Sequence, residues 1–200
     1  MKTIENIAEL EELYGKPLGL SLKKVVNHIT PLYKQWIEAS RFVVLTTVGE
    51  EGCDASPRGD QTNVVKVIDS KTLWCPDWQG NNRLDSLRNI VEDGRISLMF
   101  MVPGCNNVVR VNGRAQLTAD EEVTGAFARD GKVPKTVMVI TARELYFQCA
   151  KALMRSELWL SENETHRVPT AGQFIREVDD GFDSESYDTG YAEYAKSKMW

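Results

Sequence analysis

Four short polar segments carry the residue types that hold anions. In the first, Ser56-Pro57-Arg58-Gly59-Asp60, an arginine stands between proline and glycine. That setting holds the side chain on a defined backbone, and glycine lets a ligand approach closely. A hairpin end with an ordinary surface arginine has the same pattern. The second, Pro76-Asp77-Trp78-Gln79-Gly80-Asn81-Asn82-Arg83, runs from a strand pattern into the start of a helix. A helix N-terminus offers unbonded N–H groups and a partial positive charge. Asn82 and Arg83 add side-chain donors there, which makes a phosphate cradle, while Asp85 in the first turn competes for the same N–H groups as a cap. In the third, strand alternation puts Arg110, Asn112 and Arg114 on one face and Val109 and Val111 on the other. A polar face inside a barrel suits a ligand, and a solvated outer face reads alike. In the fourth, Lys151 and Arg155 stand four apart on one helix face, followed by Ser156. Two cations without an interleaved acid suit an anion, and they suit plain solvation as well.

Other chemistries lack their residues. There is no G-x-G-x-x-G after a strand, no Walker loop, no G-x-S-x-G and no H-E-x-x-H. The two histidines, His28 and His166, are far apart, which disfavours a hydrolytic triad. Cys53, Cys75, Cys105 and Cys149 form no Cys-x-x-Cys pair, so four free thiols are expected rather than a zinc site or a disulfide framework. With 24 basic and 29 acidic residues the net charge is −5. That excludes a broad nucleic-acid or anionic-membrane surface but leaves room for a local phosphate pocket. No apolar run approaches the ~20 residues that cross a bilayer. The first residues lack the apolar stretch of a signal peptide, so a cytoplasmic protein is expected.

The elements that must position these segments follow from hydrophobic period. Ile4, Ile7, Leu10 and Leu13 recur at helical spacing up to Gly15, and Thr30-Pro31 caps and opens a helix over Leu32–Ala39. Residues 1–40 are thus a helical preface. The period then changes to strands at 41–48, 53–57, 64–68, 72–75, 95–102, 108–117, 136–141 and 144–148, with a helix predicted at Asn82–Asp93 and short ones at 119–128 and 151–156. Successive hairpins predict a mainly β, α+β domain over 41–160: about six to seven mostly antiparallel strands closed into a barrel rather than βαβ units. Residues 161–200 are a polar, acidic tail with a helix near Thr170–Val178. Its Tyr187, Tyr191, Tyr194 and Trp200 are expected to dock on the barrel or on a partner subunit.

Taken in order, Ser56-Pro57-Arg58-Gly59-Asp60, Pro76-Asp77, Gly80-Asn81-Asn82-Arg83-Leu84-Asp85-Ser86-Leu87, Pro103-Gly104, Arg110-Val111-Asn112-Gly113-Arg114-Ala115 and Cys149–Trp159 resemble the pyridoxamine 5′-phosphate oxidase-related FMN-binding proteins. The likeness is greatest to a subgroup regarded as FMN-dependent enzymes, and it spans about Arg41 to Trp159. The resemblance implies a split β-barrel, a homodimer and two FMN sites at the dimer interface. Arg58 and Arg83 would hold the FMN phosphate, with Asn82 and Ser86 as donors near it and Ser56, Gly59 and Asn81 completing the cradle. Pro76 and Asp77 would border the flavin ring, and Arg110 would pass near the ring from the other subunit. Lys151, Arg155 and Ser156 would close the site or receive an anionic substrate. One departure is Gln61-Thr62-Asn63, where relatives often continue with prolines and a glycine. The vitamin B6 oxidase itself is a poor match, because its Arg-containing C-terminal ending is not visible.

With FMN as cofactor the implied activity is a flavin-dependent oxidoreduction of a small molecule, and no side chain stands out as general base. Two other functions fit the same residues. One is a non-catalytic flavin-binding or stress-associated protein. The other is a split barrel that holds deazaflavin or haem, though haem needs an axial ligand and His28 and His166 are the only imidazoles.

Overall fold

Residues 60–65 are all that joins β2 (Gly52–Gly59) to β3 (Lys66–Val67), yet these strands are the two edges of a seven-stranded sheet. Fully extended, that link reaches about 24 Å. Six strand spacings of ~4.8 Å would put flat edges about 29 Å apart. The sheet must therefore curl, and the unpaired gap between β2 and β3 is the split of a split barrel. In the computed structural model, which describes residues 1–160 and 163–199, the order is β2-β1-β5-β6-β7-β4-β3 and each pairing is antiparallel. The remaining strands are β1 (Phe42–Gly49), β4 (Thr72–Asp77), β5 (Arg95–Met101), β6 (Val108–Thr118) and β7 (Thr136–Gln148). The link is tied back to the foot of β1, where Asp60 N–H donates to Arg41 O (3.0 Å) and Val64 N–H to Ser40 O (3.2 Å).

Alternate residues of each strand fill the barrel. Val43 and Leu45 of β1 meet Leu73, Leu98, Phe100, Val111, Met138, Ile140 and Leu145, all fully buried. Each such side chain contributes about 1.5–3 kcal/mol of burial. Thr47 follows the same alternation into the interior, where its hydroxyl accepts from Asn89 Nδ2 (3.0 Å). That bond locks helix α4 (Asp85–Glu92) onto β1. Gly49 allows the approach, since a Cβ there would lie 2.2 Å from Asn89 Oδ1.

The preface contains α1 (Ile7–Tyr14), α2 (Gly19–Lys23) and α3 (Pro31–Ala39). Thr30 caps α3 as its sequence predicts, and Ile37 of α3 is fully buried. Val26 and Leu145 exchange backbone bonds of 2.9 and 2.8 Å, which pins the preface to β7. By contrast, α1 buries no residue.

Several boundaries differ from the sequence expectation. The helix predicted from Asn82 begins at Asp85, because Asn82 and Leu84 adopt left-handed backbones (φ 60 and 64). The strand expected over 64–68 shrinks to Lys66–Val67, since Val64 and Val65 are spent in the core as part of the closing link. The two late strands are one, β7, whose pairing with β6 shifts register at Asn112/Gly113. Beyond the barrel lie α6 (Lys151–Ser156), α7 (Ala171–Val178) and α8 (Ser184–Lys198), with the short α5 (Glu121–Gly125) between β6 and β7. Thr170 and Gln173 form a capping box on α7. Helix α8 has no apolar stripe, so its sequence reads as polar tail; Asp183 caps it, accepting from Ser186 N–H (3.1 Å). Tyr191 and Tyr194 are exposed, and Trp200 lies outside the described residues. No helix among the described residues is long and apolar enough to cross a membrane.

Candidate functional site

Three residues of β2 share one face by alternation: Asp54, Ser56 and Arg58. The curl of the sheet brings this face opposite the end of β4, although β2 and β4 do not pair. Between them opens a cleft of about 1020 Å³, closed along one side by the loop from Trp78 to Leu84 and the start of α4. Ser56, Arg58, Asp77, Asn81, Asn82, Arg83 and Ser86, predicted from separate segments, all line it. Gly59 and Pro76 line a neighbouring cleft of about 460 Å³, which shares Arg58, Trp78, Gln79 and Gly80 with the first.

Arg58 is the anchor of the large cleft. Its Nη1 donates to Asp77 Oδ1, and both side chains are largely buried. Its Nε is also buried but makes no hydrogen bond among the described residues. Thr136 Oγ1, on the facing start of β7, is likewise buried without a partner and lines the same cleft. Buried polar atoms are rarely left so, and each costs about 1–3 kcal/mol until something satisfies it.

The loop before α4 completes the cradle. Left-handed backbones at Asn82 and Leu84 turn the chain sharply, and Arg83 N–H donates to Asn81 Oδ1 (3.1 Å). Leu84, at the N-cap, makes no side-chain cap bond. Asp85, a rival for the helix N–H groups on sequence grounds, instead accepts from Arg83 Nε (3.0 Å). The positive end of α4 therefore faces the cleft. Ser86 lies at that end, with its Oγ 2.6 Å from Asp54 Oδ2 and 3.0 Å from Ser56 Oγ.

Charge is concentrated here against the overall balance. Arg58, Arg83, Lys132, Lys135 and Lys198 line the large cleft, against the carboxylates of Asp54, Asp77 and Asp85. The chain as a whole is acidic, at −5. An excess of cations around a helix N-terminus with unfilled donors suits a phosphate group. The smaller cleft is less polar, with Pro57, Val64, Pro76 and Met199 in its lining. Behind it Arg129 donates to Asp60 Oδ1 (2.9 Å) and lies 5.9 Å over the Trp78 ring. Of Gln61-Thr62-Asn63, Gln61 lines this cleft; Thr62 and Asn63 turn to Asp60 and to Val65 O. Cys75, two residues before Asp77, is buried, and burial pushes its thiol up to about 12, so it is no nucleophile.

Four predicted residues are placed elsewhere. Arg110 lies over the Tyr146 ring at 5.4 Å, and it lines neither cleft. Nor do Lys151, Arg155 and Ser156 of α6, where Ser156 Oγ donates to Leu153 O (3.1 Å). Sequence reasoning missed Asp54, Lys132, Lys135, Thr136 and the last residues of α8. For the lysines there was a signal: Asp130-Gly131-Lys132-Val133-Pro134-Lys135 is a Gly/Pro turn bearing two cations. Ser197 and Lys198 gave none, since their approach to the large cleft depends on how α7 and α8 fold.

Similarity to known proteins was found in family and in structure. No curated protein matches the chain. Among solved structures, a variant of HupZ from Group A Streptococcus superposes with a TM-score of 0.51 at 20% identity, covering 60% of this chain and 99% of that one. At that identity the likeness is one of fold. A protein related to general stress protein 26 from Clostridium acetobutylicum gives a TM-score of 0.45 at 17% identity, over 57% of this chain and 83% of that one. An FMN-binding protein from Syntrophomonas wolfei gives 0.45 at 11% identity, over 72% and 97%. The family model for pyridoxamine 5′-phosphate oxidase matches residues 29–149, more than half of the chain, and takes in the whole barrel with both clefts save the tail. The chain belongs to the pyridoxamine 5′-phosphate oxidase family.

Proposed function

We propose that this chain is a cytoplasmic, homodimeric FMN-binding protein and an FMN-dependent oxidoreductase for a small-molecule substrate. The observation that carries the reading is the pair of unfilled buried donors, Arg58 Nε and Thr136 Oγ1, in a cation-rich cleft at the start of α4. On this reading a phosphate in the cleft is met by Arg58, Thr136 and the helix N-terminus. Family membership supports flavin binding in general.

On this reading Arg58 and Thr136 hold the phosphate from one side, and Arg83, Asn82 and the Lys132–Lys135 loop from the other. The Arg58–Asp77 pair fixes the guanidinium plane, so the ligand does not have to order it. Trp78 and Pro76 wall the adjoining cleft, which takes the flat part of the ligand. The bound flavin supplies the electron and hydride chemistry. Arg110, Lys151, Arg155 and Ser156 lie off the protomer's own clefts, and we assign them to the partner's site across the dimer. Phe42, Phe147, Met154 and Leu158 are exposed and give that interface apolar surface.

The test is the protein's own colour. As purified, it is expected to show the absorption of oxidised flavin, bleached by dithionite, and to release a chromophore with the mass of FMN. Release of haem or a deazaflavin, or a colourless protein that takes up no added FMN, refutes the reading. Turnover with reduced nicotinamides then separates an enzyme from a flavin store.

A further inference from the structure

Asp54 is the one carboxylate on the ligand-facing side of β2, and its bonds set the direction of every hydrogen at this corner of the cleft. Ser86 is buried, with its Oγ 2.6 Å from Asp54 Oδ2 and 3.0 Å from Ser56 Oγ. An ionised carboxylate only accepts, so the single hydrogen of Ser86 goes to Asp54. Ser86 then has no hydrogen left for Ser56, and Ser56 must donate to Ser86. Both hydroxyl hydrogens run towards Asp54. Ser56 presents lone pairs to the cleft, not a hydrogen. The resemblance made Ser86 a donor near the phosphate; its bonding makes it the middle of a relay that points away.

We propose that Asp54 is a specificity-determining residue of the cleft: it makes this corner an acceptor for a ligand hydroxyl and restrains the affinity of the site for an ionised phosphate. The proposal rests on the reading that FMN binds here. The phosphoryl oxygens then rely on Arg58, Thr136 and the lysines, and Ser56 gives them no hydrogen. Arg58 and Arg83 already have carboxylate partners, Asp77 and Asp85, so neither is spent on neutralising Asp54.

Asp54→Asn tests this with little change of shape. The new amide can donate to Ser86, which reverses the relay: Ser86 donates to Ser56, and Ser56 donates into the cleft. One negative charge is lost as well. Both changes favour a phosphate, so FMN is expected to bind roughly tenfold more tightly, about the value of one charge-assisted hydrogen bond. Riboflavin affinity is expected to stay within about twofold. Adding Ser56→Ala to Asp54→Asn removes the donor and should erase most of the gain. Should Asp54→Asn not fold, Ser86→Ala also frees the Ser56 hydrogen and predicts tighter FMN binding. An FMN-to-riboflavin affinity ratio that is unchanged or lowered in the variant overturns the proposal. If the wild-type protein binds no FMN, the earlier reading fails by itself, and the relay is tested with inorganic phosphate. Greater thermal stabilisation of the variant than of the wild type then upholds the relay, and equal stabilisation refutes it.

Discussion

Arg58→Ala is expected to weaken FMN binding by about a hundredfold, near the upper end for loss of hydrogen bonds to a charged group. Arg58 is the only cation of the cleft that is both largely buried and provided with an unfilled buried N–H among the described residues. Its loss has a second consequence. Asp77 would keep a carboxylate that is 16% exposed and has lost its partner. Removing one member of a buried pair costs up to about 3–5 kcal/mol, and the partial exposure here places the cost nearer 2. The two effects separate cleanly. Arg58→Ala with Asp77→Asn should recover most of the stability in urea unfolding and none of the FMN affinity in calorimetric titration. Recovery of both would mean that Arg58 acts only by folding the cleft. Arg83 offers the contrast: its side chain is 75% exposed and paired with Asp85, so Arg83→Ala should cost about tenfold or less.

Gly113→Ala is expected to have the largest effect on the fold itself. A Cβ at this position would lie 2.2 Å from Thr141 O and 3.1 Å from Thr141 C, both backbone atoms of the facing strand. The site is the register shift of β6 against β7, the longest ladder in the barrel. Relief requires the two strands to part, not a side chain to swing. The expected cost is about 3 kcal/mol or more, which corresponds to a fall of about 10 °C in melting temperature for a chain of this size. Gly49→Ala looks equally crowded, at 2.2 Å from Asn89 Oδ1, but its obstacle is the end of a side chain. Rotating Asn89 sacrifices its bond to Thr47, so about 1–2 kcal/mol is expected there. Thermal unfolding of both variants checks the difference; a mild Gly113→Ala would show that the strands yield easily.

The contrast between these glycines also shows where sequence reasoning stops. The β-branched runs of β1, β5 and β6 and the apolar face of α4 were legible, because their periods belong to single segments. So was the cap Thr30, which acts within four residues of itself. The cradle was half legible. Ser56–Gly59 and Pro76–Arg83 each showed a local interruption of an apolar pattern, but their meeting depends on a sheet that curls through all seven strands. Three features had no local mark. The shortness of β3 follows from the closing link needing Val64 and Val65 for the core. Helix α8 has no apolar stripe to announce it and rests on its cap and on α7, through Gly172 N–H to Asp188 Oδ1 (2.8 Å). The reversed hydrogens of Ser56 and Ser86 depend on Asp54, a residue two positions away on one strand and thirty-two from Ser86 in sequence.

The central claim is that a phosphate-bearing flavin is held by its phosphate in the cleft of Arg58 and Thr136. Differential scanning calorimetry of the protein stripped of flavin, with FMN and with riboflavin added at equal concentrations, tests it most directly, because a ligand that binds only the folded chain must stabilise it. FMN at about a hundred times its dissociation constant should add about 2.7 kcal/mol, and so several degrees, while riboflavin adds far less. No rise with FMN, or an equal rise with both, would contradict the account.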